Sequence, residues 1–428
     1  MNDLYEIFKA NNTICTDTRT AKPGALFFAL KGENFNGNSF AFQAIEKGCS
    51  YAVIDDPKFK KDERFILVND VLKALQELAA FHRKQLNIPF IGITGSNGKT
   101  TTKELIFSVL KQKFKTFATL GNLNNHIGVA LSILSVKADT EIAIIEMGAN
   151  HIGEIEFLSS LTKPDYGIIT NIGKAHLDGF GGIEGVKKGK GELFEYIREH
   201  KGKIFLNADT GLIVEMSADI ASITYGSLDS CYVSGSFLAA DPYVRLNWRC
   251  KAKGIENQIL ESTLIGTYNY PNILAAICVG VFFDVQSEKI NHAIKNYIPT
   301  NNRSQLIETK ANSIVLDAYN ANPSSMEESI KNFAAMKGEK KVYILGDMLE
   351  LGNDTEREHQ HIIDLLEKLN PNRVFLVGQH FSNTKNSFES FSNSEELKDY
   401  LKTQNILNST ILIKGSRGIK LEKAVETL

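Results

Sequence analysis

The chain has 428 residues, of which 43% are hydrophobic and 23% are charged, and its formal net charge is −2 at pH 7. A chain of this length and composition is expected to fold into about three globular domains, which excludes a disordered protein. The balanced charge excludes a bulk positive field for nucleic acid or an anionic membrane, and the apolar run from Ile273 to Phe283 is shorter than the ~20 residues of a membrane-spanning helix.

The first predicted domain comprises residues 1–87. Its short strand-like segments are Ala25–Leu30, Tyr51–Asp55 and Phe65–Val68. A helix is predicted over Asp70–Gln85, where leucine and alanine recur at helical spacing. Pro89 disfavours helical backbone in the residue before it, so the helix and the domain are expected to end ahead of this proline.

The second predicted domain comprises residues 88–300. It opens on an apolar strand, Phe90–Ile93, which is followed by a glycine-containing loop and by a helix that begins at Lys99. Further apolar strands are predicted at Glu141–Met147, Tyr166–Asn171 and Lys203–Asn207. Continuous apolar strands that alternate with helices predict a mostly parallel sheet covered on both faces. The polar, proline-containing segment 297–302 forms the second boundary.

The third predicted domain, residues 301–428, repeats strand–helix units. Its strands are predicted at Ser313–Leu316, Lys341–Leu345, Arg373–Val377 and Thr410–Ile413. Its helices are predicted at Ser324–Met336, Thr355–Leu369, Ser394–Lys402 and Gly418–Thr427. This alternation predicts a small Rossmann-like sheet, so the expected fold class of the chain is α/β with three domains.

The segment TGSNGKT, residues 94–100, lies between a predicted strand and a predicted helix. Glycines allow backbone N–H groups to close around phosphate oxygens, and the helix N-terminus adds a partial positive charge. In such a loop Lys99 can reach the β- and γ-phosphates, and the Thr100 hydroxyl can ligate Mg²⁺. Ile93 stands where the longer phosphate-loop pattern has its first glycine, but the strand–loop–helix context favours nucleotide binding over a chance glycine turn.

Two further polar residues follow predicted strands at the same edge of the sheet. Glu146 ends one apolar strand, and His176 comes shortly after the next. Ligands of such sheets bind beyond the carboxyl ends of the strands, where a carboxylate can hold Mg²⁺ and an imidazole can ligate a metal. The alternatives are an acid that faces solvent and a surface histidine. Beside a phosphate loop, the metal role is favoured for Glu146.

Helical geometry singles out Lys190. Val186, Leu193 and Phe194 define one apolar arc of a predicted helix, and Lys190 falls inside this arc, whereas Lys188 points nearly opposite. An inward lysine is costly unless it is paired or neutralised, which makes Lys190 a functional candidate. The alternative is a lysine whose stem lies along the apolar surface with its amine in water. Helical geometry does not decide between the two.

Six segments together resemble the ATP-dependent Mur ligases, and the resemblance spans all three predicted domains. They are TGSNGKTTTKE at 94–104, GNLNN at 121–125, IEMGANHIGEI at 145–155, AHLDGFGGIEGVKKGKGELF at 175–194, DAYNANPSSM at 317–326 and GDMLELG at 346–352. Within the family the GANHxGEI, YNANPSSM and GDMxELG segments match the MurF type and separate it from its sister ligases.

The resemblance implies a ligase that joins D-alanyl-D-alanine to UDP-N-acetylmuramoyl-tripeptide (UDP-MurNAc-tripeptide), both small-molecule substrates. The tripeptide carboxylate would take the γ-phosphoryl group of ATP, and the amine of the dipeptide would attack the resulting acyl phosphate. Positioned cations overcome the repulsion between the two anions that must meet. The alternatives are a sister amide ligase, of the MurE type or a folylpolyglutamate synthase, and a phosphate-loop switch or inactive scaffold that makes no bond.

The resemblance also implies the residues that bind ATP and metal. Two Mg²⁺ ions are expected, held by Thr100, Glu146 and His176 and by a CO₂-derived carbamate on Lys190. The implied catalytic residues are Lys99, Glu146, His176 and Lys190. The implied ATP contacts are Gly95, Ser96, Asn97, Gly98, Lys99, Thr100, Thr101, Asn269, Asn272, Arg303, Asp317 and Asn320. One departure from the family is that its usual GRHN reads GTYN at residues 266–269.

The first domain resembles the uridine-nucleotide module of the MurE and MurF types through DTR at 17–19 and PGALFFALKG at 23–32. The implied contacts to the UDP-sugar are Thr18, Arg19 and Lys31, with Asn122 and Asn125 along its path to ATP. The third domain is expected to swing over the site, with hinges near Pro299–Arg303 and before Pro89.

The N-terminus has no apolar signal region, and the five cysteines form no C-x-x-C pair. Reduced, mostly buried thiols in a cytoplasmic protein are therefore expected. The predicted protein is a monomer without a nucleic-acid partner and without membrane insertion.

Overall fold

The structure, a computed structural model, describes residues 1–300, 302–338 and 340–428 and contains three main β-sheets with helices packed on them. Asn301, which belongs to the predicted second boundary, lies outside the described residues. Within the described part of the chain, no helix has the length and apolarity needed to cross a membrane. All five cysteines are buried and free, as expected.

The N-terminal domain is built on a four-stranded parallel sheet in the order β1-β2-β5-β6, with a short antiparallel hairpin, β3–β4, beside it. Its elements are α1 Asn2–Asn11, β1 Ile14–Cys15, β2 Leu26–Phe28, β3 Lys31–Gly32, β4 Phe35–Asn36, α2 Ala41–Glu46, β5 Tyr51–Ile54, β6 Phe65–Leu67 and α3 Val71–Gln85. The Asp70 carboxylate accepts a hydrogen bond from the Lys73 backbone N–H at 2.8 Å and so caps α3. The three predicted strands and the helix are confirmed.

The central domain contains a nine-stranded sheet. Its elements are β7 Phe90–Thr94, α4 Lys99–Leu110, β8 Thr116–Ala118, α5 Gly128–Leu134, β9 Ile142–Glu146, α6 Glu154–Thr162, β10 Tyr166–Ile169, α7 Leu177–Phe180, α8 Ile183–Glu199, β11 Lys203–Asn207, α9 Gly211–Met216, β12 Ala221–Gly226, β13 Val233–Ala240, β14 Tyr243–Cys250, β15 Ile255–Ile265, α10 Tyr270–Phe282 and α11 Ser287–Lys295. The apolar run that begins at Ile273 forms α10, which packs against α4 beneath the sheet.

The strand order of the central sheet is β15-β14-β13-β12-β11-β10-β7-β9-β8. In this spatial order, all neighbouring strands between β8 at one edge and β13 are parallel, as predicted. Strands β14 and β15 extend the sheet in an antiparallel arrangement that the sequence did not predict. Strand β7 lies between β9 and β10, so the chain reverses its direction of winding there. In open α/β sheets such a switch point forms a crevice outside the carboxyl ends of the strands.

The C-terminal domain contains a six-stranded sheet in the order β16-β17-β21-β18-β19-β20, parallel except for β16. Its elements are β16 Gln305–Glu308, β17 Asn312–Asp317, α12 Pro323–Ala335, β18 Lys341–Gly346, α13 Thr355–Leu369, β19 Arg373–Val377, α14 Gln379–Ser382, β20 Glu389–Phe391, α15 Ser394–Lys402 and β21 Ser409–Lys414. The predicted Rossmann-like alternation is confirmed.

One predicted helix is wrong. Residues 418–427 are not α-helical, because the chain forms two 3₁₀-helices, Arg417–Ile419 and Leu421–Thr427. They are separated by Lys420, whose φ of 59° lies in the left-handed region. Leu421 and Ala424 are buried three residues apart, a spacing at which 3₁₀ side chains share one face.

Candidate active site

The loop between β7 and α4 has the backbone that a phosphate-binding loop requires. Gly95 and Gly98 have φ values of +141° and +77°. A Cβ atom on Gly95 would lie 2.0 Å from Thr170 Oγ1, and one on Gly98 would lie 2.8 Å from Asn272 Oδ1, so neither position has room for a side chain. The Asn97 backbone N–H donates to Asn171 Oδ1 at 2.8 Å, which fixes the loop against the neighbouring strand. The loop is thereby held open at the N-terminus of α4.

Lys99 lies over this loop. Its Nζ donates to the carbonyl oxygens of Gly95 at 2.7 Å and of Ser96 at 3.1 Å rather than to a carboxylate. The pKa of Lys99 is lowered to about 8, mainly by burial; Glu146 opposes this shift and Arg303 adds to it. A bound phosphate would replace the two carbonyls and raise the pKa of Lys99, so anion binding at or above about pH 8 is expected to be accompanied by uptake of a proton.

Glu146 is the last residue of β9 and is 1% exposed. Its Oε1 accepts hydrogen bonds from Thr100 Oγ1 at 3.0 Å and from Asn124 Nδ2 at 2.9 Å. Its Oε2 has no hydrogen-bond partner among the described residues. A buried carboxylate oxygen without a donor, next to a threonine hydroxyl, fits a hard cation such as Mg²⁺. The structure brings Glu146 and Thr100 together, as the sequence predicted.

Lys103, which the sequence analysis missed, is the buried cation beside this carboxylate. It is fully buried on α4, and its Nζ lies 3.6 Å from Glu146 Oε2 and 3.0 Å from Glu104 Oε1. The same Nζ donates to the Thr119 carbonyl at 2.6 Å and to the Gly121 carbonyl at 3.2 Å. Lys103 therefore links the Glu146 carboxylate, the proposed Mg²⁺ ligand, to the GNLNN segment. The sequence feature that could have predicted Lys103 is its position one helical turn after Lys99, on the inner face of α4.

Replacing Lys103 by methionine is expected to lower the free energy of unfolding by about 3–5 kcal/mol, because the buried carboxylate of Glu146 loses its nearby cation. The decrease is measured by urea unfolding. The double variant Lys103→Met, Glu146→Gln should lose less than the sum of the two single changes, because the uncompensated charge is then removed. Lys111→Met, at an exposed position just after α4, is the matched control and should change little. Additive single changes would contradict the coupling.

Lys190 on α8 faces the protein interior. It is 1% exposed, and its Nζ donates to the Ala149 carbonyl at 2.9 Å and lies 4.8 Å from the centre of the Phe180 ring. The alternative with the amine in water is therefore wrong. Burial, and then the charge of Lys99, lower the pKa of Lys190 well below its ordinary value, although Glu154 and Glu192 oppose this. A lower pKa favours the neutral amine, which is the form that reacts with CO₂.

His176 follows β10 and has a φ of 52°. Its Nδ1 lies 2.5 Å from Glu350 Oε2, a carboxylate of the C-terminal domain. The close approach of the His176 ring lowers the pKa of Glu350. Within the described part of the chain, no three side chains of histidine, cysteine, aspartate or glutamate form a metal cluster. The structure thus places His176 at the domain interface rather than in a preformed set of ligands.

A cavity of about 820 Å³ lies between the central and C-terminal domains. The predicted site residues that line it are Ser96, Asn97, Gly98, Lys99, Thr100, Thr101, Asn122, Asn125, Glu146, His176, Asn269, Asn272, Arg303, Asp317 and Asn320. Gly95 and Lys190 lie directly behind lining residues. The three predicted contacts in the N-terminal domain do not line the cavity.

The two predicted adenine contacts are held by a buried amide network. Asn272 Nδ2 donates to Asn269 Oδ1 at 3.0 Å, and Thr102 Oγ1 donates to Asn272 Oδ1 at 3.1 Å. Tyr268, at the position where the sequence departs from the family, bonds through its hydroxyl to Ser304 Oγ at 2.9 Å. This tyrosine therefore links the central domain to the C-terminal domain.

Polar groups of the C-terminal domain complete the cavity. The Arg303 guanidinium lies 3.6 Å from the centre of the Tyr319 ring, and its Nε has no hydrogen-bond partner among the described residues. Asp317 pairs with Lys414, whose Nζ lies 2.5 Å from Oδ2. Lys414 was missed by the sequence analysis, although it ends β21 at the same sheet edge as Asp317. Its position at the carboxyl end of a parallel strand is the signal from which it could have been predicted.

The predicted UDP-sugar contacts make local interactions in the N-terminal domain. Thr18 Oγ1 donates to Gln43 Oε1 at 2.9 Å, Arg19 pairs with Asp17, and Lys31 Nζ lies 2.8 Å from Asp55 Oδ1. Thr18, Arg19 and Lys31 are thus not brought together with the phosphate loop. Their role stays a prediction.

The C-terminal domain contacts the phosphate loop directly. Asn322 Nδ2 donates to Asn97 Oδ1 at 2.7 Å. The Lys174 backbone N–H donates to Ser324 Oγ at 3.0 Å, and Lys174 Nζ lies 2.8 Å from the buried carboxylate of Glu358. These contacts come from the YNANPSS segment and from α13. The structure is therefore a closed arrangement in which both sheets present their carboxyl ends to one cavity.

Comparisons with known proteins cover the whole chain. Residues 12–83 match the Mur ligase family catalytic domain, residues 93–280 the Mur ligase middle domain, and residues 302–417 the Mur ligase glutamate ligase domain. The chain is 35% identical over 431 residues to the Bacillus subtilis (strain 168) protein named UDP-N-acetylmuramoyl-tripeptide--D-alanyl-D-alanine ligase, with 97% of this chain and 92% of the relative covered.

Solved structures with this fold are also found. The crystal structure of MurF from Acinetobacter baumannii has a TM-score of 0.86 at 28% identity and covers 98% of this chain and 97% of that one. The structure of MurF ligase from Thermotoga maritima in complex with ADP shares the fold with a TM-score of 0.85 at 24% identity, covering 100% of this chain and 98% of that one. The sequence matches and the closed three-domain architecture agree, and the chain belongs to the Mur ligase family.

Proposed function

We propose that this chain is an ATP-dependent ligase that joins D-alanyl-D-alanine to UDP-MurNAc-tripeptide and releases ADP and phosphate. It would act as a monomer in the cytoplasm, in the synthesis of peptidoglycan precursors. One observation carries the proposal: a phosphate-binding loop and a buried carboxylate, one oxygen of which has no hydrogen-bond donor among the described residues, share one cavity, in a chain similar over 97% of its length to a relative named as this ligase.

The cavity supplies the groups that ATP requires. The backbone N–H groups of residues 95–101 at the N-terminus of α4 would hold the phosphates, with Lys99 reaching the terminal one. Asn269 and Asn272 would contact adenine. Arg303, whose Nε is free to donate, would reach the phosphates from the C-terminal domain. Asp317 and Asn320 would close over the nucleotide from the same side.

The donors at the sheet edge fit Mg²⁺. Thr100 and Glu146 would hold one ion, because the Glu146 Oε2 is buried, accepts no hydrogen bond from the described residues, and has only the Lys103 ammonium near it, at 3.6 Å. His176 and a carbamate on Lys190 would support a second ion, since the depressed pKa of Lys190 favours the neutral amine that takes up CO₂. When bound, the metal would neutralise phosphate charge in front of the approaching carboxylate.

The chain's own residues would then bring two anions together. The tripeptide carboxylate oxygen attacks the γ-phosphorus, and the bond to the β-phosphate oxygen breaks as ADP leaves. The amine of D-alanyl-D-alanine attacks the acyl carbon, loses a proton, and expels phosphate. Lys99 and Arg303 would stabilise the charge on the transferred group. The closed C-terminal domain would keep water away from the acyl phosphate.

The N-terminal domain would bind the UDP-sugar. Thr18, Arg19 and Lys31 are the proposed contacts, and Asn122 and Asn125 would guide the peptide towards ATP. Arg19 is exposed and Lys31 half-exposed, so both side chains are free to turn from their carboxylate partners to a diphosphate. Hinges near residues 299–303 and before Pro89 would let the outer domains close on the substrates.

Phosphate release tests this proposal. With ATP, Mg²⁺ and UDP-MurNAc-tripeptide present, release is expected with D-alanyl-D-alanine and not with L-lysine or glutamate. The reaction should be nearly silent when any substrate is omitted, because phosphoryl transfer needs the acceptor carboxylate and turnover needs the amine.

Each other outcome has a distinct meaning. Release with lysine alone would overturn the assignment of the dipeptide, and release with glutamate would point to a sister amide ligase. Release without any amine would indicate a nucleotide switch. An absence of release under every condition would indicate an inactive scaffold.

A further inference from the structure

The loop between β10 and α7 contacts the C-terminal domain through Lys174. The Lys174 backbone N–H donates to Ser324 Oγ at 3.0 Å, and its Nζ donates to the two carboxylate oxygens of Glu358 at 2.8 and 3.0 Å. Ser324 lies on α12 and Glu358 on α13, two helices that pack against each other. One residue of the central domain therefore reaches two neighbouring helices of the C-terminal domain.

The same loop is bonded to the phosphate loop. Ser96 Oγ donates to the Gly173 carbonyl at 3.0 Å and accepts a hydrogen bond from the Gly173 backbone N–H at 2.9 Å. The Ser96 backbone N–H donates to the Asn171 carbonyl at 3.0 Å. A Cβ atom on Gly173 would lie 3.0 Å from Ser324 Oγ, so this loop fits closely against α12. Residues 171–174 thus connect the phosphate loop with the C-terminal domain.

The Glu358 carboxylate is buried and needs positive charge beside it. Its side chain is 2% exposed, whereas that of Lys174 is 46% exposed. Arg357 Nη2 also lies 3.0 Å from Glu358 Oε1, but Arg357 belongs to the same helix, so that contact does not depend on domain closure. Lys174 supplies its charge only when the two domains are together. Loss of this charge would therefore destabilise the closed arrangement and leave an open one unaffected, because removing one partner of a buried ion pair is strongly unfavourable.

We propose that Lys174 is a positioning residue that stabilises the closed arrangement of the C-terminal domain through its ion pair with Glu358. This inference rests on the proposed function, in which Arg303, Asp317 and Asn320 reach ATP from the C-terminal domain after closure. When a ligand needs the closed form, its apparent affinity falls in proportion to the closed fraction. The Lys174–Glu358 pair therefore sets how much ATP is needed for closure, and substrates at saturation restore the closed form.

Domain closure is tested directly by small-angle X-ray scattering of the full chain during titration with a non-hydrolysable ATP analogue and Mg²⁺. Lys174→Met is expected to need about 10-fold more analogue than the wild type for half-maximal compaction, because only the closed form loses the ion pair. Lys174→Arg keeps the charge and should remain within about twofold of the wild type. Thermal unfolding verifies that both variants are folded.

Steady-state phosphate release gives the second measurement. Lys174→Met is expected to raise the KM for ATP about 10-fold with kcat within about twofold of the wild type, because saturating substrates restore closure. The double variant Lys174→Met, Glu358→Gln should recover most of this KM, since the neutral amide no longer needs a cation. Lys137→Met, at an exposed position of the central domain outside the cavity, is the matched control and should behave as the wild type.

The outcomes separate this inference from the proposed function. The inference is wrong if Lys174→Met and the wild type have the same radius of gyration at every analogue concentration, or if the double variant shifts the KM as much as Lys174→Met does. A wild-type protein that releases no phosphate with D-alanyl-D-alanine would overturn the proposed function, and the scattering titration would still decide whether Lys174 stabilises closure.

Discussion

Replacing Lys190 by alanine is expected to reduce phosphate release by about two to three orders of magnitude. The amine is buried and its pKa is depressed, so an anionic carbamate at this position would be a main support of the second metal ion. Alanine removes that anion without adding bulk. The measurement is steady-state release with all three substrates present, together with thermal unfolding to verify the fold.

A short carboxylic acid supplied to the Lys190→Ala protein should restore part of the activity, because it can occupy the space of the lost side chain and return the negative charge. Lys188→Ala, on the exposed side of the same helix, is the matched control and should retain the wild-type rate. A wild-type rate from Lys190→Ala would remove the carbamate from the mechanism.

Replacing Glu146 by glutamine is expected to lower kcat/KM by about 10³-fold. The amide oxygen can still accept from Thr100 and Asn124, so the local hydrogen bonds survive. The amide nitrogen would take the place of Oε2, which accepts no hydrogen bond from the described residues, and it cannot ligate Mg²⁺, so the phosphate charge is left uncompensated. Rates measured against Mg²⁺ concentration should show that the metal no longer saturates the variant.

Glu215→Gln provides the control for this change. Glu215 is an exposed residue of α9 in the central domain and does not line the cavity. Its activity and Mg²⁺ dependence are expected to match those of the wild type. Full activity of Glu146→Gln at ordinary Mg²⁺ concentrations would show that this carboxylate is not a metal ligand.

Local patterns predicted most of the parallel strands and several of the helices. Apolar runs such as Phe90–Ile93 and the helical spacing in Asp70–Gln85 depend only on neighbouring residues, so the structure has them near the expected positions. Strands β14 and β15 were not predicted, although β14 alternates buried apolar residues with polar ones, the pattern of a strand with one buried face. The predicted α-helix at residues 418–427 failed because Lys420 takes a left-handed conformation that sequence spacing does not reveal.

Part of the candidate site could also be predicted from local patterns in the sequence. The phosphate loop is contiguous in the chain, and Glu146 follows from the rule that ligands bind beyond the ends of parallel strands. Lys103 and Lys414 were not predicted, although one lies a helical turn after Lys99 and the other ends a parallel strand. Only the structure shows the carboxylate that each of them meets. The predicted contacts of the N-terminal domain, Thr18 among them, lie outside the cavity of the closed arrangement.

The amino-acid sequence alone determined the α/β class, the phosphate loop, the place of Lys190 on the apolar arc of its helix and, through its six segments, the family. All of these depend on short-range spacing or on contiguous motifs. Only the tertiary structure decided that Glu350 meets His176, that Lys103 lies beside Glu146, and that the C-terminal domain rests on the phosphate loop. Those pairs join residues that are distant in the chain or in different domains, and their proximity is set by how strands are ordered and sheets are packed rather than by any local pattern.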